Sequence, residues 1–152
     1  MLRLLEEGEQ VHYVTLGAGN TGRDFDLETD RRVAEFKFIT WRGGSETIRQ
    51  NGVFKDYLKL LWHSGSKERK QLFLTGTREA LAFLRGRRAI SSVLSRNVKL
   101  KDSFEVEYGT QYHSVGEFYR AHENGVDIVD LFDVIPQLSR IVTSGAREDD
   151  AN

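Results

Sequence analysis

Asp26, Glu35 and Lys37 are the residues whose types and spacing carry chemistry. Asp26 lies in the segment Arg23 to Thr29 (RDFDLET), and Glu35 and Lys37 lie in Arg32 to Trp41 (RVAEFKFITW). Both segments alternate polar and apolar residues with the period of a half-buried strand. A tight hairpin at Asp30-Arg31 pairs Thr29 with Arg32, Leu27 with Ala34 and Asp26 with Glu35, and sets Asp24 opposite Lys37. Directly opposed residues hold their Cβ atoms about 4.5–5.5 Å apart. Asp26 and Glu35 then abut on one face, while Leu27, Ala34 and Phe36 point to the other.

Two abutting carboxylates repel, so a proton, a salt bridge or a cation must neutralise them. Oxygen ligands in a chain without cysteine favour a hard cation, Mg²⁺ or Mn²⁺. Lys37 shares the face of Glu35 and is placed to hold an attacking water or to steady charge on a phosphate. This is the layout of metal-assisted phosphodiester hydrolysis, where the ion acidifies its bound water and offsets developing charge. The same alternation also suits cross-strand ion pairs on an exposed sheet, each worth well under ~1 kcal/mol. Context separates the two readings. Glu68-Arg69-Lys70 also has the Glu-x-Lys form, but it sits where a loop enters a strand, with no aspartate strand before it, and reads as a surface charge cluster.

The surrounding elements follow from the same pattern. Residues 1–8 read as a short helix and Gln10 to Leu16 (QVHYVTL) as a strand. The GAGNTG segment reads as a loop and is followed by no helix, so it is not a dinucleotide loop. Ser45 is an expected N-cap for a helix running from Glu46 to Trp62, in which Gly52 is a weak point. Lys70 to Thr75 reads as a short buried strand, and Thr77 as the cap of a helix to Leu84. Further on, Ser103 to Tyr108 reads as a strand, Val115 to Glu123 as a helix, and Asp127 to Ile141 as a helix interrupted at Pro136. The closing GAREDDAN reads as a disordered tail. His12, His63, His113 and His122 fit no metal-ligand spacing and read as structural or surface residues, and Trp41 and Trp62 as core or sheet-edge anchors.

A chain of 152 residues is a prior for one domain. The expected division is one domain over 1–145, with a core over about 1–101 and an acidic extension over 102–145, then the tail 146–152. The absence of cysteine excludes disulfides, zinc fingers and thiol nucleophiles. No stretch approaches the ~20 apolar residues of a membrane span, and the first residues do not form a secretory signal; a cytoplasmic protein is expected. The formal net charge of −1 is a cancellation of blocks: −5 over residues 1–30, +12 over 31–101 and −8 over 102–152. Arg85, Arg87, Arg88, Arg96, Lys99 and Lys101 fall in a run without a carboxylate, as a phosphate-facing patch would. A solvated surface balanced by the acidic tail is the plainer alternative.

An aspartate strand, a hairpin, Glu-Phe-Lys within the next strand, an amphipathic helix and a further strand together resemble the PD-(D/E)xK phosphodiesterase superfamily, over roughly residues 1–85. The resemblance implies the restriction-endonuclease-like α/β fold, a central mixed sheet of four to five strands flanked by helices. It implies Asp26 and Glu35 as metal ligands, Lys37 as the catalytic lysine and Gln50 as an orienting residue on the helix, with Tyr57 on about the same helix face. Glu6, Glu7 and Glu9 are the candidates for an added N-terminal ligand. Phe25 stands where the family usually has proline. The function expected is a Mg²⁺- or Mn²⁺-dependent nuclease, with DNA the expected substrate and the Arg85–Lys101 run on the phosphate backbone. An RNA-directed nuclease is a further reading. A non-catalytic nucleic-acid- or protein-binding module on the same fold is the alternative, with residues 102–152 as a docking or self-masking surface. Resemblance alone adds a homodimer.

Overall fold

The computed structural model describes residues 4–15, 22–65 and 69–140. The chain order is β1 (Val11–Val14), β2 (Leu27–Thr29), β3 (Arg32–Lys37), α1 (Glu46–Leu61), β4 (Arg69–Leu74), α2 (Arg78–Leu84), α3 (Ile90–Leu94), α4 (Val98–Tyr108), α5 (Val115–His122), β5 (Asp127–Asp130) and α6 (Leu131–Val134). The strands form one mixed sheet in the order β1-β2-β3-β4-β5. β1 pairs antiparallel with β2, and β2 with β3 across the short Asp30-Arg31 turn, while β3, β4 and β5 pair parallel across helical crossovers. This is an α/β fold with helices against a five-stranded sheet.

The β2–β3 register is the expected one: Leu27 pairs with Ala34 and Glu28 with Val33. Side chains alternate along β3. Val33 joins the larger core with Val53, Phe54, Leu58 and Leu72, on the side of α1. Ala34 joins a smaller core with Leu27, Phe73 and Leu131, and Phe36 packs against it. Both faces of β3 are thus covered, and Glu35 and Lys37 share the α1 side with Val33.

Five local expectations are corrected. Residues 4–8 form turns rather than the helix expected over 1–8: Gly8 has φ +76°, and the Glu6 and Glu9 carboxylates reach across to Arg69 and Arg32. The strand expected over Arg23 to Thr29 shortens to Leu27–Thr29, because Phe25 and Leu27 enter the two different cores, which strict alternation forbids. Ser103 to Tyr108 is helical, within α4, with Asn97 accepting the Leu100 N–H as its cap. Phe104 and Tyr108, one helical turn apart, pack with tilted rings at 4.8 Å between centroids, and both meet Phe118. Asp127 opens a strand rather than a helix. β5 splits its apolar pair between the cores, Ile128 to one and Val129 to the other, and Asp130 caps α6 through the Phe132 N–H. The core therefore does not end near residue 101: β5 comes from the acidic segment.

The loop at 17–22 lies outside the described residues except for Gly22, as do residues 1–3, Glu68 and the tail at 145–152. Among the described residues no helix is long and apolar enough to cross a membrane.

Candidate functional site

Asp26 ends the irregular approach to β2, one position beyond the paired Leu27. The β2–β3 register extended by that position sets it opposite Glu35. Its Oδ2 accepts the Phe36 N–H at 3.0 Å, which fixes the carboxyl beside the strand. Glu35 is buried, with 8% of its surface exposed. Burial, together with a hydrogen bond to the Asp26 carboxyl, pushes Glu35 up to about 7, against the opposing pull of Lys59. The two carboxylates are thus neighbours on the α1 side.

The cations come from both elements. Lys59 on α1 donates to Glu35 Oε1, and its Nζ lies 5.1 Å from the centroid of the Phe25 ring. Lys37 follows Glu35 on the same face, but its Nζ donates to Asp56 on α1 at 2.6 Å. The arm of Lys37 crosses α1 at Gly52, where an added β-carbon would stand 3.0 Å from Lys37 Cε and 3.2 Å from its Nζ. Gly52, Asp56 and Lys59 are spaced i, i+4, i+7, which puts them on one stripe of the helix. Beyond Lys37 the β3–β4 edge is clipped by Thr75, whose Oγ1 accepts the Ile39 N–H at 2.7 Å and donates to the Ile39 carbonyl at 2.9 Å. The end of the strand that carries Lys37 is thereby held in place.

Gln50 lies elsewhere. It is roughly 160° around α1 from Gly52, it donates to Glu46 Oε1, and its Oε1 accepts from Arg88 Nη1 at 2.7 Å. Gln50 thus links α1 to the basic segment and does not touch the carboxylate pair. Tyr57, on that same side, is fully buried; its hydroxyl donates to the His122 carbonyl at 2.8 Å, and burial raises its pKa. It is a core residue. Trp41 and Trp62 pack at the edge of the larger core.

Of the N-terminal glutamates, Glu6 and Glu9 serve the other face of the sheet and Glu7 is exposed. Arg32, Ala34 and Gln71 belong to that face, and Arg32 donates to Gln71 and, through Nε and Nη2, to both oxygens of Glu9. Burial pushes Glu9 up, but Arg32, the Glu6 backbone and Thr29 outweigh it and hold Glu9 at about 2. Glu6 bonds Arg31 and Arg69. Glu9 therefore belongs to a buried ion pair on the far side of β3 from Glu35.

The basic residues occupy the α2–α4 region. Arg85 caps the end of α2, Arg87 and Arg88 lead into α3, Arg96 turns into α4, and Lys99 and Lys101 lie on α4. All but Arg88 and Lys101 are exposed. Lys101 is 3.6 Å from Glu105 one turn on.

Two residues of the arrangement, Asp56 and Lys59, were not anticipated. The available signal was the glycine inside α1 with charges at i+4 and i+7. Asp26 and Glu35 are the neighbouring carboxylates able to share a cation; among the described residues, no group of three or more His, Asp or Glu is placed to hold one. The chain matches no protein-family model, no curated protein and no solved structure in the comparisons made with each.

Proposed function

We propose that this chain is a metal-dependent nuclease of restriction-endonuclease-like architecture, hydrolysing phosphodiester bonds, with DNA the expected substrate. The observation that carries the reading is the Asp26–Glu35 carboxylate pair, half-sunk beside Lys37 and Lys59 on one face of the sheet. A mixed sheet in which a hairpin strand delivers Glu-x-Lys toward the following helix agrees with it.

The donor set fits Mg²⁺ or Mn²⁺. Such ions are commonly bound by one or two carboxylates, and water and substrate phosphate fill the remaining positions. Asp26 and Glu35 would hold the ion, which when bound supplies Lewis-acid polarisation of the phosphate and a more acidic water. The chain's own residues do the rest. Asp26, tied to the Phe36 N–H, keeps one oxygen in a fixed direction. Lys37, with its arm along Gly52 and its head at Asp56, would be the cation that offsets charge developing on a phosphate. Arg87, Arg96 and Lys99 would meet backbone phosphates, giving affinity without sequence selectivity.

The second reading, a non-catalytic nucleic-acid- or protein-binding module, has its own supporting observation. Glu35 and Lys37 both have partners within the protein, Lys59 and Asp56, so the network is satisfied without a ligand. The experiment that separates them is incubation of the purified chain with single- and double-stranded DNA and RNA in Mg²⁺, Mn²⁺ or EDTA. Cleavage that requires the divalent ion is expected, and binding without cleavage of any substrate would replace the nuclease reading with the module.

A further inference from the structure

Lys59 bonds the same carboxylate that the proposed function assigns to a metal. Its ammonium donates to Glu35 Oε1 and at the same time stands over an aromatic ring. The Phe25 ring, 5.1 Å from the same Nζ, lies within the ~6 Å range of a cation–π contact. That ring is itself fixed: Phe25 is 5% exposed and meets the His63 ring edge-on at 4.9 Å. The Lys59 side chain is 38% exposed, so its head can leave Glu35 without passing through packed core. Lys37 lacks this freedom, being held by Asp56 and flanked by Gly52.

We propose that Lys59 is a displaceable counter-ion of the Asp26–Glu35 pair, which neutralises the carboxylates in the metal-free protein and releases Glu35, retained by the Phe25 ring, when a divalent cation takes them. The inference rests on the metal reading above. Two cations that need the same Glu35 oxygen compete, so the protein binds its metal more weakly than the bare pair would. It remains folded and charge-balanced without the metal. A lysine that only oriented Glu35 would have the opposite effect, because its removal would weaken metal binding.

The test is Mn²⁺ binding by isothermal titration calorimetry on the full chain, with near-UV circular dichroism as the check on folding. Lys59→Met, with Lys59→Gln as a second neutral variant, is expected to bind Mn²⁺ at least about fivefold tighter than wild type, the order of one partly exposed ion pair. Lys59→Arg, which keeps the charge, is expected to bind no tighter than wild type, and Glu35→Gln to lose binding. If the neutral variants bind equally or more weakly while Glu35→Gln still abolishes binding, the counter-ion role is overturned and the carboxylate site stands. If binding is indifferent to Glu35→Gln, or absent from wild type and both neutral variants, the metal reading falls and the inference falls with it.

Discussion

Lys37 crosses α1 at Gly52: a β-carbon at position 52 would stand 3.0 Å from Lys37 Cε. The glycine that weakens the helix is where the strand lysine passes to reach Asp56. Alanine in a helix interior is favoured over glycine by roughly 0.5–1 kcal/mol, and the atoms it would displace are the far end of a flexible side chain. Gly52→Ala is therefore expected to keep or slightly raise the melting temperature while lowering cleavage about tenfold or more, because a small misplacement of a reacting group is costly. Thermal denaturation and a cleavage assay on the same preparation check both halves; a variant that is destabilised and fully active contradicts the placement.

Glu9 should govern acid stability. Its carboxyl is held at about 2, against an ordinary value of 4.5. Between those values the unfolded chain binds more protons than the native one. The stabilisation is therefore complete above about pH 4.5 and is lost as pH falls through about 2, on the order of 3 kcal/mol in all. Denaturant titrations across pH 2–7 are expected to show that loss in wild type and a flatter profile in Glu9→Gln. At neutral pH, Glu9→Ala takes from Arg32, only 5% exposed, its nearer carboxylate and leaves it only Glu6 at 3.7 Å, and should cost about 3 kcal/mol. A cost below about 1 kcal/mol would show that Arg32 is satisfied without it.

The β2–β3 register was legible in the sequence because Leu27, Ala34 and Phe36 put apolar groups on one face, and slipping by one position would turn Glu35 and Lys37 into the smaller apolar core. That register alone put Asp26 against Glu35. The charged partners on α1 were not legible: Asp56 and Lys59 are polar positions of an amphipathic helix, and nothing local says which side of α1 a strand will pass. SFEVEY fits a period of two as well as it fits a helical pair at 104 and 108. Burial decides between them, with Phe104 buried and Val106 87% exposed. DIVD runs directly into LFDV, so the strand and helix that meet at Asp130 looked like one helix.

The helical state of α4 has a measurable consequence. Phe104→Ala should cost about 3–5 kcal/mol, because the ring packs against Phe54, Trp62, Tyr108 and Phe118. Val106→Thr should change stability by no more than about 0.5 kcal/mol. In a strand buried on both faces, both substitutions would be costly. Chemical denaturation of the two variants distinguishes the arrangements.

The basic segment should reveal itself through salt. If Arg87, Arg96 and Lys99 meet phosphates, replacing each with alanine lowers affinity for any sequence and reduces the slope of log affinity against log salt by roughly 0.7–0.9 for each phosphate no longer neutralised. Lys101, already near Glu105, should matter less. Fluorescence anisotropy with a labelled oligonucleotide at several salt concentrations measures this, and an unchanged slope in the triple variant places the nucleic acid elsewhere.

Metal-dependent cleavage at the Asp26–Glu35 pair is decided by the rate of DNA hydrolysis in Mg²⁺ for wild type, Glu35→Gln and Lys37→Ala, measured alongside folding and oligonucleotide binding. Both variants are expected to fold and bind as wild type does while cleavage falls about a hundredfold or more, the loss typical when a group that stabilises transition-state charge is removed. Undiminished cleavage by Glu35→Gln and Lys37→Ala, or wild-type cleavage that persists in EDTA, would contradict it.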